Sequence, residues 1–364
     1  KIVNSSNLFS TGTKNFKRPL VIAGPCSAES REQVLSTANE LKGIEEVQVF
    51  RAGLWKPRTR PETFEGVGEI GLSWLKEVKE QTSFKVGTEV ANSHHVELCL
   101  KNGIDVLWIG ARTTTNPFAV QEIADSLRGV DIPVLIKNPI NADISLWIGA
   151  IERMSKAGLK DLMAIHRGFS SSLDSKYRNR PLWKIPIELK HHYPELPIIC
   201  DPSHICGQRS TIEDVCQKAM DIHMDGLMIE THIKPEQALS DAKQQITPGR
   251  LFEILKTLSY KNESSHDVDF ERTLEILRDK IDIIDLDIIE ALAQRMEVVE
   301  QIAKIKHEKN VSAFQQKRMD EILKQRVQKG IQFGLMKDYI QELFNIVHAE
   351  SVKKQTDFFK NKNQ

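Results

Sequence analysis

The sequence predicts an α/β protein: a (β/α)8 TIM barrel followed by a smaller all-α helical domain that dimerises. Up to about residue 232, eight β-branched apolar runs alternate with helix-like segments, as parallel strands covered on both faces do. Eight such units over roughly 250 residues fit a closed barrel better than an open doubly wound sheet. After Leu258 the apolar residues recur at intervals of three and four, which is typical of helices.

Polar residues follow most of the predicted strands. In a barrel of this kind the carboxyl ends of the strands face the active site, whereas the strand interiors fill the core. The eight strands are predicted at residues 20–27, 47–53, 84–90, 106–110, 134–139, 161–168, 198–204 and 226–232. We therefore expect the barrel domain at 1–258 and its active site among the residues that end these strands.

A polar linker at 259–269 separates the barrel from a helical domain at 270–358, and 359–364 is a polar tail. In the helical domain one apolar stripe, from Leu274 to Ile302, follows a helix of nearly forty residues. Shorter helices are predicted at 316–329 and 335–354. The long helix cannot bury its stripe alone, so it must pack against other helices.

Composition excludes several classes of function. The 50 Lys and Arg residues balance 50 Asp and Glu residues, so bulk charge favours neither a nucleic-acid nor a membrane partner. No apolar run approaches the roughly 18 residues that a membrane-spanning helix needs. Five cysteines in a chain of 364 residues do not resemble a disulfide framework, which predicts a reduced, cytoplasmic protein.

Six cationic residues lie at or beside the carboxyl ends of the predicted strands. Their mutual repulsion is costly unless anions neutralise it, so they indicate ligands that carry phosphate and carboxylate groups. A solvated loop charge is the alternative for any one of them, but it is a poor explanation for six at one mouth. They are Arg51, Lys56, Arg58, Arg112, Lys137 and Arg167.

A second set at the same mouth contains Cys26, His204, Glu230 and Asp241, from the ends of strands 1, 7 and 8 and the loop that follows. Strands 1, 7 and 8 are neighbours in a closed barrel. One sulfur, one nitrogen and two oxygen donors suit a divalent transition ion such as Mn²⁺, Fe²⁺, Co²⁺ or Zn²⁺. The alternative is a buried cysteine beside three unrelated polar residues.

In the helical domain, Arg295 and Lys306 are eleven residues apart, which puts them on one helix face about 16 Å apart, so they can close on one small dianion. Arg278 lies seventeen residues before Arg295, about 25 Å away and turned by about 100°. If all three cations serve one ligand, Arg278 must come from a second chain. This geometry predicts a homodimer through the helical domain.

The barrel segment, about residues 16–258, resembles 3-deoxy-D-arabino-heptulosonate 7-phosphate (DAHP) synthase in its short microbial subgroup. The resemblance rests on the ordered runs GPCSAE, FRAGLWKPRT, GARTT, KNP, HRG, DPSH, MIETH and SDA. It implies that Cys26, His204, Glu230 and Asp241 bind the metal. It further implies that phosphoenolpyruvate is held by Arg51, Lys56, Arg112, Lys137 and Arg167, and erythrose 4-phosphate by Arg58 and Thr59.

The implied reaction is an aldol-like addition in which the metal acts as a Lewis acid and Lys56 supplies a proton or polarises the reacting oxygen. The competing possibility on the same fold is 3-deoxy-D-manno-octulosonate 8-phosphate synthase. That family typically has an Ala-Asn pair where this chain has Pro57-Arg58, so the loop favours the four-carbon sugar.

Residues from about 270 to 358 resemble the all-helical chorismate mutases. Carried over by position, Arg278 from the partner chain and Arg295 bind the carboxylates of chorismate, with Ser351 assisting. Lys306 and Gln355 would hydrogen-bond the ether oxygen, while Gln315 and Arg318 complete the substrate site. Two residues depart from the family: Gln315 stands where Asp or a similar polar group is usual, and Met319 stands where Glu is common.

The resembled synthase is the first enzyme of the shikimate pathway, and a later product of that pathway, bound between Arg295 and Lys306, offers a reason for the fusion. We expect chorismate or prephenate there to favour an arrangement in which the helical domain hinders the barrel mouth. The alternative is that the helical domain is a regulatory binding module with little catalysis of its own.

Overall fold

A computed structural model describes residues 17–56, 63–171, 175–260 and 267–362 of the chain. The chain forms two compact units, Lys1–Glu263 and Ser264–Gln364. The predicted linker, 259–269, spans the point where they divide. Within the described ranges, no helix has both the length and the apolar composition that crossing a membrane requires.

The first unit contains a closed parallel barrel. Its strands are β1 (Leu20–Gly24), β2 (Val47–Arg51), β3 (Lys85–Val90), β4 (Val106–Ile109), β5 (Val134–Lys137), β6 (Leu162–His166), β7 (Ile198–Cys200) and β8 (Gly226–Glu230). They pair in chain order, and β8 closes the barrel on β1, with Gly24 opposite Glu230. The predicted barrel is therefore confirmed. Seven of the eight strands end one to four residues earlier than predicted, because the chain leaves the sheet where the polar loops begin.

Helices cover the outside of the barrel and connect its strands. They are α1 (Arg31–Leu41), α2 (Ile70–Gln81), α3 (Ser93–Lys101), α4 (Ala111–Thr114), α5 (Pro117–Ser126), α6 (Ile144–Lys156), α7 (Lys184–His192), α8 (Pro202–Cys206), α9 (Ile212–Asp221) and α10 (Pro248–Thr257). Several begin at a side-chain cap. Ser30 caps α1, Asn116 caps α5 and Asp143 caps α6, each by accepting from a backbone N–H of the first turn.

Side chains alternate between two cores along each strand. Leu20 and Ile22 of β1 lie in the barrel interior, whereas Val21 and Ala23 pack against the surrounding helices. One step beyond the interior core, the same alternation brings charged residues to the mouth of the barrel. They are Arg51, Lys137, Arg167, Asp201 and Glu230.

The second unit consists of α11 (Val268–Glu308), α12 (Gln316–Gln332) and α13 (Lys337–Lys362), and α13 packs against both other helices. The long helix and its two shorter followers are as predicted, although α13 begins two residues later and runs eight residues further. Only Val299 and Ala303 of α11 are buried within this chain. Four stripe residues in its amino-terminal half are more than half exposed: Leu277, Ile281, Ile284 and Ile288. The stripe that the sequence predicts to pack is thus left open in one chain.

Candidate active sites

A cavity of about 100 Å³ lies at the mouth of the barrel. Four of the predicted cations line it, namely Lys56, Arg112, Lys137 and Arg167. Arg178 adds a fifth, and two carboxylates, Glu89 and Asp241, line it with His204. Because the cations outnumber the carboxylates in the lining, the cavity suits an anion.

Two of these cations are held by buried partners. Lys137 Nζ donates to Asp201 Oδ2 at 2.9 Å, and both side chains are almost fully buried. The Arg167 backbone N–H donates to Asn138 Oδ1, and its Nη1 donates to Asn179 Oδ1 at 3.0 Å. Burial lowers the pKa of Arg167 to about 10, which leaves the guanidinium charged at neutral pH.

Arg51 lies beside the cavity rather than in its lining. Its guanidinium stacks 4.8 Å from the Trp108 ring centroid, and its Nη2 is 3.5 Å from Glu230 Oε1. The same Nη2 donates to the backbone oxygen of Cys26 at 3.2 Å. The predicted sugar-phosphate residues, Arg58 and Thr59, lie outside the described residues.

Three of the four predicted metal ligands form one cluster. The donor atoms of Cys26, Glu230 and Asp241 lie within 4.8 Å of one another. Cys26 Sγ is 3.4 Å from Asp241 Oδ2. His204 lies beside this cluster, with its Nε2 3.7 Å from Glu230 Oε1. The structure therefore brings the four residues together at one edge of the barrel mouth.

The orientation of His204 follows from the start of α8. Asp201 caps that helix by accepting from the backbone N–H of His204, and its Oδ2 lies 2.8 Å from His204 Nδ1. Nδ1 therefore faces the carboxylate, and Nε2 is left facing Glu230. Burial raises the pKa of Asp201, but His204 and Lys137 lower it well below its usual range, so Asp201 stays ionised.

The electrostatics of the cluster favour a bound cation. Burial and the charges of Glu230 and Asp241 raise the pKa of the Cys26 thiol to about 12. Lys56 Nζ lies 3.2 Å from Cys26 Sγ. Burial lowers the pKa of Lys56, but the charges of Cys26, Glu230 and Glu89 together leave it raised. Glu230 Oε1 is buried and accepts no hydrogen bond from any described residue. A buried, unsatisfied carboxylate oxygen beside sulfur, oxygen and imidazole donors fits a divalent transition ion.

A second cavity, of about 620 Å³, lies within the helical unit. Six predicted residues line it: Arg295, Lys306, Gln315, Arg318, Ser351 and Gln355. Lys317 and Arg326 bring its cations to five, with Glu321 as the one carboxylate among the described lining residues. This composition again suits a small anion.

The inner wall of this cavity is ordered by hydrogen bonds. Arg295 Nη1 donates to Ser351 Oγ, and Lys306 Nζ donates to the backbone oxygen of Ala313 at 2.9 Å. Gln355 Nε2 donates to Ser351 O at 3.2 Å, while its buried Oε1 has no partner in the described part of the chain. Burial lowers the pKa values of both Arg295 and Lys306, as expected for cations turned inward.

Arg278 is exposed on the amino-terminal half of α11 and does not line this cavity. It lies seventeen residues before Arg295 on one continuous helix, about 25 Å away along the axis. Arg278 therefore cannot reach the cavity of its own chain.

Some residues of both sites were not among the predicted site residues. Glu89 had a signal, because it stands near the carboxyl end of β3, and Gly110 makes room for it: a Cβ there would lie 2.3 Å from Glu89 Oε1. Asp201 opens the Asp-Pro-Ser-His run with which the predicted seventh strand ends. Arg178 and Gln244 come from loops and carry no comparable pattern in the sequence. In the helical unit, the polar lining residues outside the prediction are Lys317, Glu321, Arg326 and His348.

Comparisons with known proteins follow the same division. Residues 7–266 match the DAHP synthetase I family, and residues 277–356 match chorismate mutase type II. A phospho-2-dehydro-3-deoxyheptonate aldolase of Thermotoga maritima is 33% identical over 238 residues, covering 65% of this chain and 67% of that protein. A 2-dehydro-3-deoxyphosphooctonate aldolase of Wolinella succinogenes is 26% identical over 256 residues, covering 64% of this chain and 95% of that protein.

A crystal structure of phospho-2-dehydro-3-deoxyheptonate aldolase (DAHP synthase) from Thermotoga maritima superposes with a TM-score of 0.59 at 30% identity, covering 65% of this chain and 67% of that one. The fold, the order of the motifs and the family matches agree. The chain belongs to the DAHP synthetase I family and carries a chorismate mutase type II domain after the barrel, which makes it an enzyme with a transferase and an isomerase part.

Proposed function

We propose that the barrel condenses phosphoenolpyruvate with erythrose 4-phosphate in a metal-dependent reaction that yields 3-deoxy-D-arabino-heptulosonate 7-phosphate. The observation that carries this proposal is the cavity that joins Lys56, Arg112, Lys137 and Arg167 to His204 and Asp241. An enol phosphate presents a phosphate and a carboxylate, and a cluster of Arg and Lys side chains recognises both.

Four of the five cations of the lining, namely Lys56, Arg112, Lys137 and Arg167, are proposed to contact phosphoenolpyruvate directly. Arg51, which lies outside the lining and against Glu230, adds positive charge beneath them. Arg58 and Thr59 are proposed to take the phosphate of the sugar. Together these residues hold two anionic substrates side by side, which replaces a bimolecular encounter by a fixed orientation.

In the proposed reaction, C3 of phosphoenolpyruvate forms a bond to the aldehyde carbon, and the aldehyde oxygen gains a proton. Water adds at C2, and the bond from C2 to the phosphate oxygen breaks, so that inorganic phosphate leaves and a ketone remains. Lys56, which lines the cavity and lies 3.2 Å from Cys26 Sγ, is the cation proposed to donate to the aldehyde oxygen. A divalent ion held by Cys26, His204, Glu230 and Asp241 would supply Lewis acidity toward that oxygen.

The sugar preference and the metal dependence can be tested in one assay. We expect phosphate release from phosphoenolpyruvate to be faster with erythrose 4-phosphate than with arabinose 5-phosphate, by at least about 10-fold in kcat/KM. Chelation should abolish release, and added Mn²⁺ should restore it. The reverse sugar preference would favour the octulosonate synthase function, which the similarity to the Wolinella succinogenes protein keeps as the second candidate. A rate that resists chelation would contradict the metal requirement.

For the helical unit we propose rearrangement of chorismate to prephenate. This pericyclic reaction needs no acid, base or nucleophile, so the site has to fix the reactive conformer and stabilise negative charge on the ether oxygen. Arg295 and Ser351 are proposed to bind a carboxylate, and Lys306 and Gln355 the ether oxygen. An ether oxygen only accepts, so Gln355 is proposed to offer it Nε2, which in this structure donates to Ser351 O at 3.2 Å. Gln315 and Arg318 are proposed to complete the site.

This site is proposed to need a second copy of the chain. Arg278 is too far from Arg295 on its own helix, and Leu277, Ile281, Ile284 and Ile288 expose an apolar stripe beside it. A second α11 that covers this stripe in a two-fold symmetric dimer would bring its Arg278 along with the apolar surface. The homodimer is thus proposed on two independent features of the same helix.

We further propose that prephenate or chorismate, bound in the helical cavity, inhibits the barrel. Such coupling requires that the ligand prefer a less active state of the chain, and couplings of about 1–3 kcal/mol change affinity by roughly 5- to 150-fold. Adding prephenate to the full chain should lower the rate of phosphate release. Arg295→Ala should lose the response, whereas Arg272→Ala, an exposed arginine on the same helix, should keep it. An intact chain that ignores both metabolites would contradict the proposal.

A further inference from the structure

Gln244 is a buried amide that contacts the candidate metal cluster without belonging to it. Its Nε2 donates to Glu230 Oε2 at 2.7 Å, and its Oε1 accepts from Arg178 Nη1 at 2.7 Å. Only 1% of its surface is exposed. Each polar atom of the amide is thus used once, with a carboxylate on one side and a guanidinium on the other.

These two bonds fix which end of the amide faces Glu230. A guanidinium can only donate, so Arg178 must bind the amide oxygen, and this leaves the NH₂ group for the carboxylate. If the amide turned over, its oxygen would face a carboxylate oxygen and its NH₂ group would face Arg178. Arg178 therefore sets the orientation that lets Gln244 bind Glu230.

The consequence for Glu230 is that its two oxygens differ. Oε2 is occupied by Gln244, whereas Oε1 accepts no hydrogen bond from the described residues and has two longer charged contacts, Arg51 Nη2 at 3.5 Å and His204 Nε2 at 3.7 Å. A carboxylate held by one oxygen cannot rotate freely about its terminal bond. It presents the other oxygen, in one direction, to whatever occupies the cluster.

Arg178 extends the same arrangement to the second carboxylate. The Nη1 that binds Gln244 also donates to Asp241 Oδ1 at 3.0 Å, while Asp241 Oδ2 lies 3.4 Å from Cys26 Sγ. Gln244 also donates from its backbone N–H to the Asp241 carbonyl at 3.1 Å, which stabilises a turn where Asp241 has a φ of 46°. In both Glu230 and Asp241, one carboxylate oxygen is thus held by a hydrogen bond, and the other faces the cluster.

We propose that Gln244, oriented by Arg178, is a positioning residue of the metal centre: it holds Oε2 of Glu230 so that Oε1 alone serves as the metal ligand. The inference rests on the proposed metal site. Partners of this kind typically change metal affinity by about 10- to 100-fold when they are removed.

The test is a titration of the full chain with Co²⁺, followed by absorption. A thiolate-to-cobalt band reports the Cys26 bond, and the visible d–d bands report the number and geometry of the ligands. Gln244→Leu should weaken Co²⁺ binding by about 10- to 100-fold and change the d–d bands, yet retain the thiolate band at saturation. Gln33→Leu removes another buried amide that contacts none of the four ligands, and it should titrate like the unaltered chain.

Arg178 provides a second variant that does not endanger the core, since its side chain is 48% exposed. Arg178→Met should change affinity and d–d bands in the same direction as Gln244→Leu, and Arg178→Lys should restore part of the loss because it keeps a donor for the amide oxygen. Unaltered affinity and spectrum in both Gln244→Leu and Arg178→Met would overturn the positioning role alone. An unaltered chain that binds Co²⁺ without a thiolate band would overturn the proposed metal site, and this inference with it.

Discussion

Cys26→Ser is expected to lower phosphate release from phosphoenolpyruvate by about 100-fold or more, while chorismate is still converted to prephenate at the original rate. Cys26 is the one soft donor of the cluster, and borderline divalent ions bind thiolates much more tightly than hydroxyls. Removing a side chain that only supports a metal ligand typically lowers metal affinity or activity by about 10- to 100-fold. Removing a ligand itself should lower them at least as much. The measurements are metal content per chain and the rates of both reactions.

The replacement should leave the fold intact. The backbone N–H of Cys26 is bound by Gln245 Oε1, and its carbonyl accepts from Arg51, and neither bond involves the thiol. Cys99→Ser makes the same change at another buried cysteine, away from the barrel mouth, and is the matched control. A Cys26→Ser chain with normal metal content and turnover would remove Cys26 from the site.

Chains that carry Arg278→Ala or Arg295→Ala are each expected to lose chorismate mutase activity, and a mixture of the two should regain it. In a two-fold symmetric dimer, each site takes Arg295 from one chain and Arg278 from the other. A mixed dimer therefore has one site that lacks both arginines and one that is intact. With free exchange of equal amounts, half of the dimers are mixed, so about a quarter of the original activity should return.

Subunit exchange has to be demonstrated independently, for example with two differently labelled chains. Arg272→Ala, an exposed arginine about two turns from Arg278 on α11, should keep its activity both alone and in mixtures. Exchange without recovery of activity would rule out a site shared between chains. Full activity in the Arg278→Ala chain alone would remove that residue from the site.

The architecture of the barrel could be predicted because the pattern of the strands is local. A buried parallel strand has to be apolar throughout, and the run around Val134 or Ile198 shows this without knowledge of its neighbours. The predicted carboxyl ends of the strands were less accurate, for a physical reason. Residues 201–204 look like a continuation of β7, yet Pro202 opens α8 and Asp201 caps it, so the chain turns away from the sheet one residue after Cys200.

The site was predictable where it depends on the ends of strands and less so where it depends on loops. Lys137, Arg167 and Glu230 follow from the alternation along their strands, and the structure brings them to one mouth. Arg178 reaches Asp241 from a residue 63 positions away in the chain, and no local pattern encodes such a contact. The roles of these residues in binding and catalysis stay predictions until the variants are measured.

The open stripe of α11 has a consequence for how the two activities respond to the amount of protein in a cell. The sheet of the barrel is complete within one chain, with β8 paired to β1, so no second copy is needed to close it. Helices in proteins owe most of their stability to packing of an apolar face, and α11 buries only Val299 and Ala303 within its own chain. Where a second copy supplies the missing packing, stability follows mass action. With the proposed dimer, scarce protein would lose its isomerase activity first, so the expression level itself would set the ratio between the two activities.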